Sequence, residues 1–97
     1  MPVELKPWDS AEILTDEETI KAYLEEAFAE GEPQLIAKAL GDVARARNVA
    51  ALARETNLSR DTIYSAFGPE GNPTLSTLIA MTKALGFDLT LKPRTDG

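Results

Sequence analysis

The chain contains no cysteine and no histidine. Those two absences remove disulfide bridges, thiolate nucleophiles, zinc-finger ligation and every Ser–His or Cys–His catalytic arrangement. Acid–base chemistry would fall to carboxylates, lysines and hydroxyls, and these form no enzyme site. Glu25 and Glu26 are adjacent in sequence and point to different parts of a helix surface, so they make no glycosidase-like pair. The stretch from Gly68 to Gly71 lacks the lysine and the following Ser or Thr of a phosphate-binding loop. No cofactor and no metal are expected. Long apolar runs are also missing: nothing approaches the roughly 18 residues of a membrane span. Met1-Pro2-Val3-Glu4-Leu5 carries no basic-then-apolar leader, so a cytoplasmic location without a membrane partner is expected. Apolar residues as such are not scarce. At 43% hydrophobic and 27% charged over 97 residues, the composition is that of a folded single domain, 1–97, rather than of a disordered segment.

The net charge of −6 conceals an asymmetry. Residues 1–35 hold ten acids against two bases, whereas 36–65 hold five bases (Lys38, Arg45, Arg47, Arg54, Arg60) against Asp42, Glu55 and Asp61. The remainder balances. One end is acidic and the middle locally basic, and affinity for nucleic acid depends on how many phosphates such a basic surface neutralises.

Periodicity and capping signals give five main helices, an all-α class. Residues 1–14 form an arm, with Val3 and Leu5 alternating ahead of Pro7-Trp8 and a cap-plus-three signal at Asp9-Ser10-Ala11-Glu12. Two N-terminal helices fill 15–47. The first is capped by Thr15, carries acids at 16–18 that suit the positive end of its dipole, buries Ile20, Tyr23, Leu24, Ala27 and Phe28, and stops at Gly31. The second starts at Pro33 and buries a stripe of Leu35, Ile36, Ala39, Leu40, Val43 and Ala44. Gly41 within that helix is costly unless another element crosses closely there. Asn48 is expected to end it in the left-handed conformation. Gly68-Pro69-Glu70-Gly71-Asn72-Pro73 is a loop. A last helix spans 74–86, capped by Thr74, ended by Gly86, and facing inward with Leu75, Leu78, Ile79, Thr82 and Leu85. Phe87, Leu89 and Leu91 alternate with polar residues, which predicts a short C-terminal strand at 87–92.

The informative segment is 49–67. Two short helices joined by a turn must pack tightly, which requires a small residue on the first (Ala53), a turn residue (Asn57), an apolar plug (Leu58) and an apolar residue inside the second (Ile63). All four stand at helix-turn-helix spacing. In that motif the second helix presents its first residues to base edges in the major groove. Here those are Ser59, Arg60, Asp61, Tyr64 and Ser65. Arg60 suits guanine O6 and N7, Asp61 suits cytosine N4, and Ser65 can pair with several edges. Ser59 and Thr62, with Arg45, Arg47 and Arg54, suit phosphate oxygens.

The run from Ala39 to Arg47, then Leu52-Ala53-Arg54-Glu55-Thr56, Leu58-Ser59-Arg60, Ile63-Tyr64 and Gly71-Asn72-Pro73-Thr74-Leu75, resembles the addiction-module antidote family. These are HigA-like antitoxins of the Cro/repressor helix-turn-helix type, encoded beside a RelE/ParE-type toxin. The resemblance reaches from Trp8-Asp9 to Ala84-Leu85-Gly86 and departs at Asn48 and Asn57, where the family usually has glycine. It implies a five-helix Cro/repressor-like fold, a toxin partner neutralised by direct contact, and repression of the chain's own operon through operator DNA.

Trp8, Tyr23 and Phe28 read first as core or arm-docking residues, with Trp8 also a candidate for toxin contact. Glu25, Glu26 and Glu30 on the acidic helix are the further toxin-binding candidates, since a toxin that handles RNA is expected to be basic. A lone apolar strand leaves an unpaired edge, which predicts a homodimer through 87–92 unless that segment pairs with the arm of its own chain. The competing function is a protein-interaction adaptor that keeps the helix-turn-helix shape and does not touch DNA.

Overall fold

The computed structural model describes residues 16–94. Among them are five α-helices: α1 (Glu17–Glu30), α2 (Pro33–Arg47), α3 (Val49–Thr56), α4 (Arg60–Ala66) and α5 (Leu75–Ala84). The expected arm with Trp8 lies outside the described residues, and the cap expected at Thr15 falls to the next residue instead. Asp16 caps α1, its carboxylate accepting from the Thr19 amide at 2.8 Å. Glu17 and Glu18 follow in the first turn, where the helix dipole favours negative charge. Gly31 closes α1 with φ +77°, and no atom lies within 4 Å of where a Cβ would sit. The glycine is there for its backbone conformation.

Helix α2 is the hub, packing against α1, α3 and α4, while α5 packs on α3. Its Pro33 occupies the first turn as expected. Ala37, Ala39, Leu40, Val43 and Ala44 are buried, but Leu35 is 41% exposed, outside the stripe assigned to it. Gly41 is buried, and a Cβ there would lie 3.0 Å from the Phe67 carbonyl carbon and closer still to its oxygen. The end of α4 therefore rests on the backbone of α2, which is the close crossing that the glycine foretold. Leu40, Val43, Ile63, Phe67 and Met81, all fully buried or nearly so, form the centre of the core.

Three further expectations need correction. Asn48 is not left-handed: its φ of −176° is extended backbone, and its side chain accepts from the Ala51 amide at 3.0 Å. With α3 starting at Val49, the same residue that ends α2 is worth more as an N-cap. The buried side of α5 is Leu78, Met81, Thr82 and Leu85, with Leu75 69% and Ile79 38% exposed. The inward face is set by what α3 covers, and an apolar stripe wider than that remains in solvent. No strand forms at 87–92 or elsewhere among the described residues. Gly86 (φ +96°) turns the chain out of α5, Gly86 N–H donating to Lys83 and Phe87 N–H to Thr82, and only Phe87 of the alternating set packs on the core. Leu89 and Leu91 lie outside the core cluster, and alternation without a ladder partner among the described residues does not make a strand. Among the described residues no helix is long and apolar enough to cross a membrane.

Candidate functional site

Asn48 at the start of α3 and Ser59 at the start of α4 fix a compact two-helix unit. Thr56 donates its hydroxyl to the Leu52 carbonyl at 2.7 Å and accepts from the Leu58 amide at 3.2 Å, tying the end of α3 to the turn. Asn57 then takes φ +66°, the one non-glycine residue with positive φ among the described residues. Asparagine tolerates that conformation because its short amide can bond locally, so the turn closes without glycine. Ser59 accepts from the Thr62 amide at 3.0 Å and donates to the Thr62 hydroxyl at 2.9 Å. Leu52 and Ile63 are buried, while Ala53, Leu58 and Ala66 are partly buried against the same core. The four positions singled out by spacing thus hold the roles expected of them.

With Ile63 anchored, the opposite face of α4 is turned outward. Arg60, Asp61, Tyr64 and Ser65 are exposed, Tyr64 to 53%. No side-chain hydrogen bond or ion pair engages Arg60, Asp61 or Tyr64 among the described residues, and Ser65 makes only a long 3.4 Å contact with the Thr62 carbonyl. Ser59 and Thr62 are different: their hydroxyls are already bonded to each other. Arg54 is exposed on α3, the other helix of the unit.

The two remaining arginines belong elsewhere. Arg45 is ion-paired with Asp42, and Arg47 lines a groove with Glu17, Glu18, Lys21 and Phe87, between the start of α1 and the end of α5. Both are exposed, and Arg45 already has an acid partner.

Asp42 is the residue that sequence reasoning missed. It is 2% exposed and accepts from the Tyr23 hydroxyl at 2.6 Å, from Lys38 Nζ at 3.1 Å and from the Arg45 guanidinium. A buried carboxylate is tolerable only with such a set of donors. Lys38 and Arg45 at i−4 and i+3 were a visible signal, but Tyr23 comes from α1 and could not be read locally. On α1 itself Glu25, Glu26 and Glu30 are exposed, and Glu25 is 3.8 Å from Lys21 in a pair that solvent screens. Asp16 is held below the usual carboxylate range by hydrogen bonds from the Thr19 side chain and amide.

Comparison with known proteins bears on this arrangement. A protein of Haemophilus influenzae, described as uncharacterized, is 47% identical over 85 residues, covering 88% of each chain. No solved structure matches the chain. The family model described as probable addiction module antidote protein matches residues 4–93, nearly the entire length and all five helices, and the chain belongs to that family.

Proposed function

We propose that the chain is the antitoxin of a toxin–antitoxin pair, a cytoplasmic homodimer that neutralises a RelE/ParE-type toxin by direct contact and represses its own operon by binding operator DNA. It acts by binding and performs no catalysis. The toxin follows from the family, whose antidotes imply a cognate toxin. The observation that carries the DNA reading is the outward face of α4. An arginine, an aspartate, a tyrosine and a serine stand exposed there on a helix whose other side is locked into the core. Asp61 also suits the first turn of α4, but no side-chain hydrogen bond or ion pair uses Arg60, Asp61 or Tyr64 among the described residues. In the Cro/repressor-like helix-turn-helix that the resemblance implies, α4 is the recognition helix, and Arg60 and Asp61 read bases while Arg54 and the Ser59–Thr62 pair face phosphates. Two such helices in a dimer would lie roughly 34 Å apart on a near-palindromic site.

Arg60 is the only long cation on α4, so Arg60→Ala tests the reading. Operator affinity should fall about 10- to 100-fold at fixed salt, the equivalent of roughly 1–3 kcal/mol for a bidentate base contact. Affinity for a scrambled duplex should change far less. Fluorescence anisotropy with DNA from upstream of the chain's own gene supplies both values. Wild-type protein that binds neither duplex would favour the adaptor reading, and a mutant indistinguishable from wild type would show that Arg60 reads no base.

A further inference from the structure

Residues 88–92 leave the core without forming a strand or helix. No backbone hydrogen bond holds this stretch among the described residues; Leu89 is 41% and Leu91 96% exposed. We infer that Asp88–Lys92 is the docking surface for a second copy of the chain, the two segments pairing as an antiparallel ribbon about a two-fold axis through Thr90. The inference deepens the homodimer of the proposed function by naming the surface that joins it.

The sequence is self-complementary in this register. Directly opposed residues of an antiparallel pair lie on the same face, so a two-fold ribbon must be centred on a residue. Centring on Thr90 sets Asp88 opposite Lys92 of the second copy, twice by symmetry, and opposes Leu89 to Leu91 on the other face. Opposite charges and apolar pairs in those positions both stabilise a ribbon. Centring on Leu89 sets Asp88 against Thr90 and forfeits both ion pairs. Centring on Leu91 sets Asp88 against Arg94 in place of Lys92 but pairs Leu89 with Pro93 and so forfeits both leucine pairs. The chosen register also accommodates Pro93, which has no N–H to donate. If Thr90 meets its own copy in a hydrogen-bonded pair, the alternation makes Phe87–Pro93 a non-hydrogen-bonded pair, where no amide is needed. Leu89 and Leu91 then also fall in the closer-spaced, non-hydrogen-bonded kind. Phe87 N–H is bonded to Thr82 and its side chain packs on the core. The ribbon would therefore start directly from the folded body, with no slack between them.

Charge reversal tests both the partner and the register. Sedimentation equilibrium of the full chain should give twice the 10.5 kDa of one copy. Asp88→Lys or Lys92→Asp alone sets like charges against each other at two places and should raise the dimer dissociation constant about tenfold or more. The double substitution restores opposite charges across the two-fold axis and should return the constant to near wild type. The chain has no cysteine, so Thr90→Cys should oxidise to a covalent dimer while Asp88→Cys should not. A monomeric wild type overturns the inference. So does a dimer indifferent to the single reversals, or single effects that the double substitution does not repair, as expected if the segment pairs with residues 1–15 of its own chain. Operator binding by a dimer that ignores these reversals would leave the proposed function standing and refute this surface alone.

Discussion

Replacing Gly41 by alanine sets two terms of opposite sign against each other, and the structure decides which prevails. In the middle of a helix, alanine is better than glycine by about 1 kcal/mol, so propensity alone predicts a more stable protein. Against that, a Cβ at position 41 would sit 3.0 Å from the Phe67 carbonyl carbon and 3.3 Å from its Cβ, with the carbonyl oxygen nearer than either. Ordinary carbon contacts lie at roughly 3.5–4.0 Å, so the crossing must open by about 1 Å. The obstacle is main chain, which no rotamer change can move. Prising α4 from α2 loosens the packing of Phe67, Ile63 and Leu40, all essentially buried. Overpacking of this kind costs about 1–3 kcal/mol and more when backbone must shift, so Gly41→Ala should be destabilising by about 2 kcal/mol net. In a domain of this size that lowers the melting temperature by roughly 8–16 °C. Urea unfolding followed by circular dichroism should show a lower midpoint at unchanged slope. Gly31→Ala is the control for strain without contact: with φ +77° and nothing within 4 Å, it should cost only about 1 kcal/mol. A Gly41→Ala protein as stable as wild type, or more so, would refute the close crossing.

Other substitutions probe the remaining parts. Asp42→Ala removes the acceptor of Tyr23, Lys38 and Arg45; since both cations are about half exposed and can rehydrate, the loss should be about 2 kcal/mol by urea unfolding, less than for a fully buried pair. Asp16 has its folded-state pKa lowered, so its cap stabilises α1 above the unfolded-state pKa and is lost as pH falls through the folded one. An NMR titration should find its carboxyl midpoint below the usual aspartate range, and Asp16→Asn should weaken the acid-side loss of helix. Replacing Glu25, Glu26 and Glu30 with lysine should slow association with a basic toxin several-fold at low salt and much less at high salt, leaving operator affinity undiminished, as stopped-flow mixing at two ionic strengths would show.

Features fixed within a few residues were legible in the sequence. Gly31, Ser59, Thr74 and Gly86 mark helix ends because capping is a local bargain between one side chain, or its absence, and the nearest amides. The two-helix unit was legible for a related reason: Ala53, Asn57, Leu58 and Ile63 sit within eleven residues, and their roles follow from one tight turn. What escaped depends on distant neighbours. A charged residue in mid-helix reads as surface, and only Tyr23, nineteen residues away, makes Asp42 an interior one. The inward side of α5 depends on how much of it α3 covers. Asn48 offered two uses of one amide, as a left-handed C-terminal residue or as an N-cap, and the choice between them rests on how soon the next helix begins.

The same neighbours explain how the charge asymmetry becomes an arrangement in space. The acids of 1–35 and the bases of 36–65 are contiguous in sequence, and without a clamp they would tend to neutralise each other. Asp42 partly settles this by holding Lys38 and Arg45 on α2, beside α1. Arg47 lines a groove together with Glu17, Glu18 and Lys21. Lys38 and Arg45 are thus ion-paired on α2, whereas Arg54 and Arg60 stand on the α3–α4 unit with no side-chain partner among the described residues. A net charge of −6 therefore does not oppose binding of a phosphate backbone evenly over the surface. The excess of bases in the middle stretch is carried by α2, with Lys38, Arg45 and Arg47 against Asp42, whereas α3 and α4 each hold one base and one acid, so the outward face of α4 offers a single placed cation, Arg60, and not a broad positive field. Because α1 and α4 both pack on α2 and not appreciably on each other, a partner on the acidic helix and one on α4 would meet different surfaces.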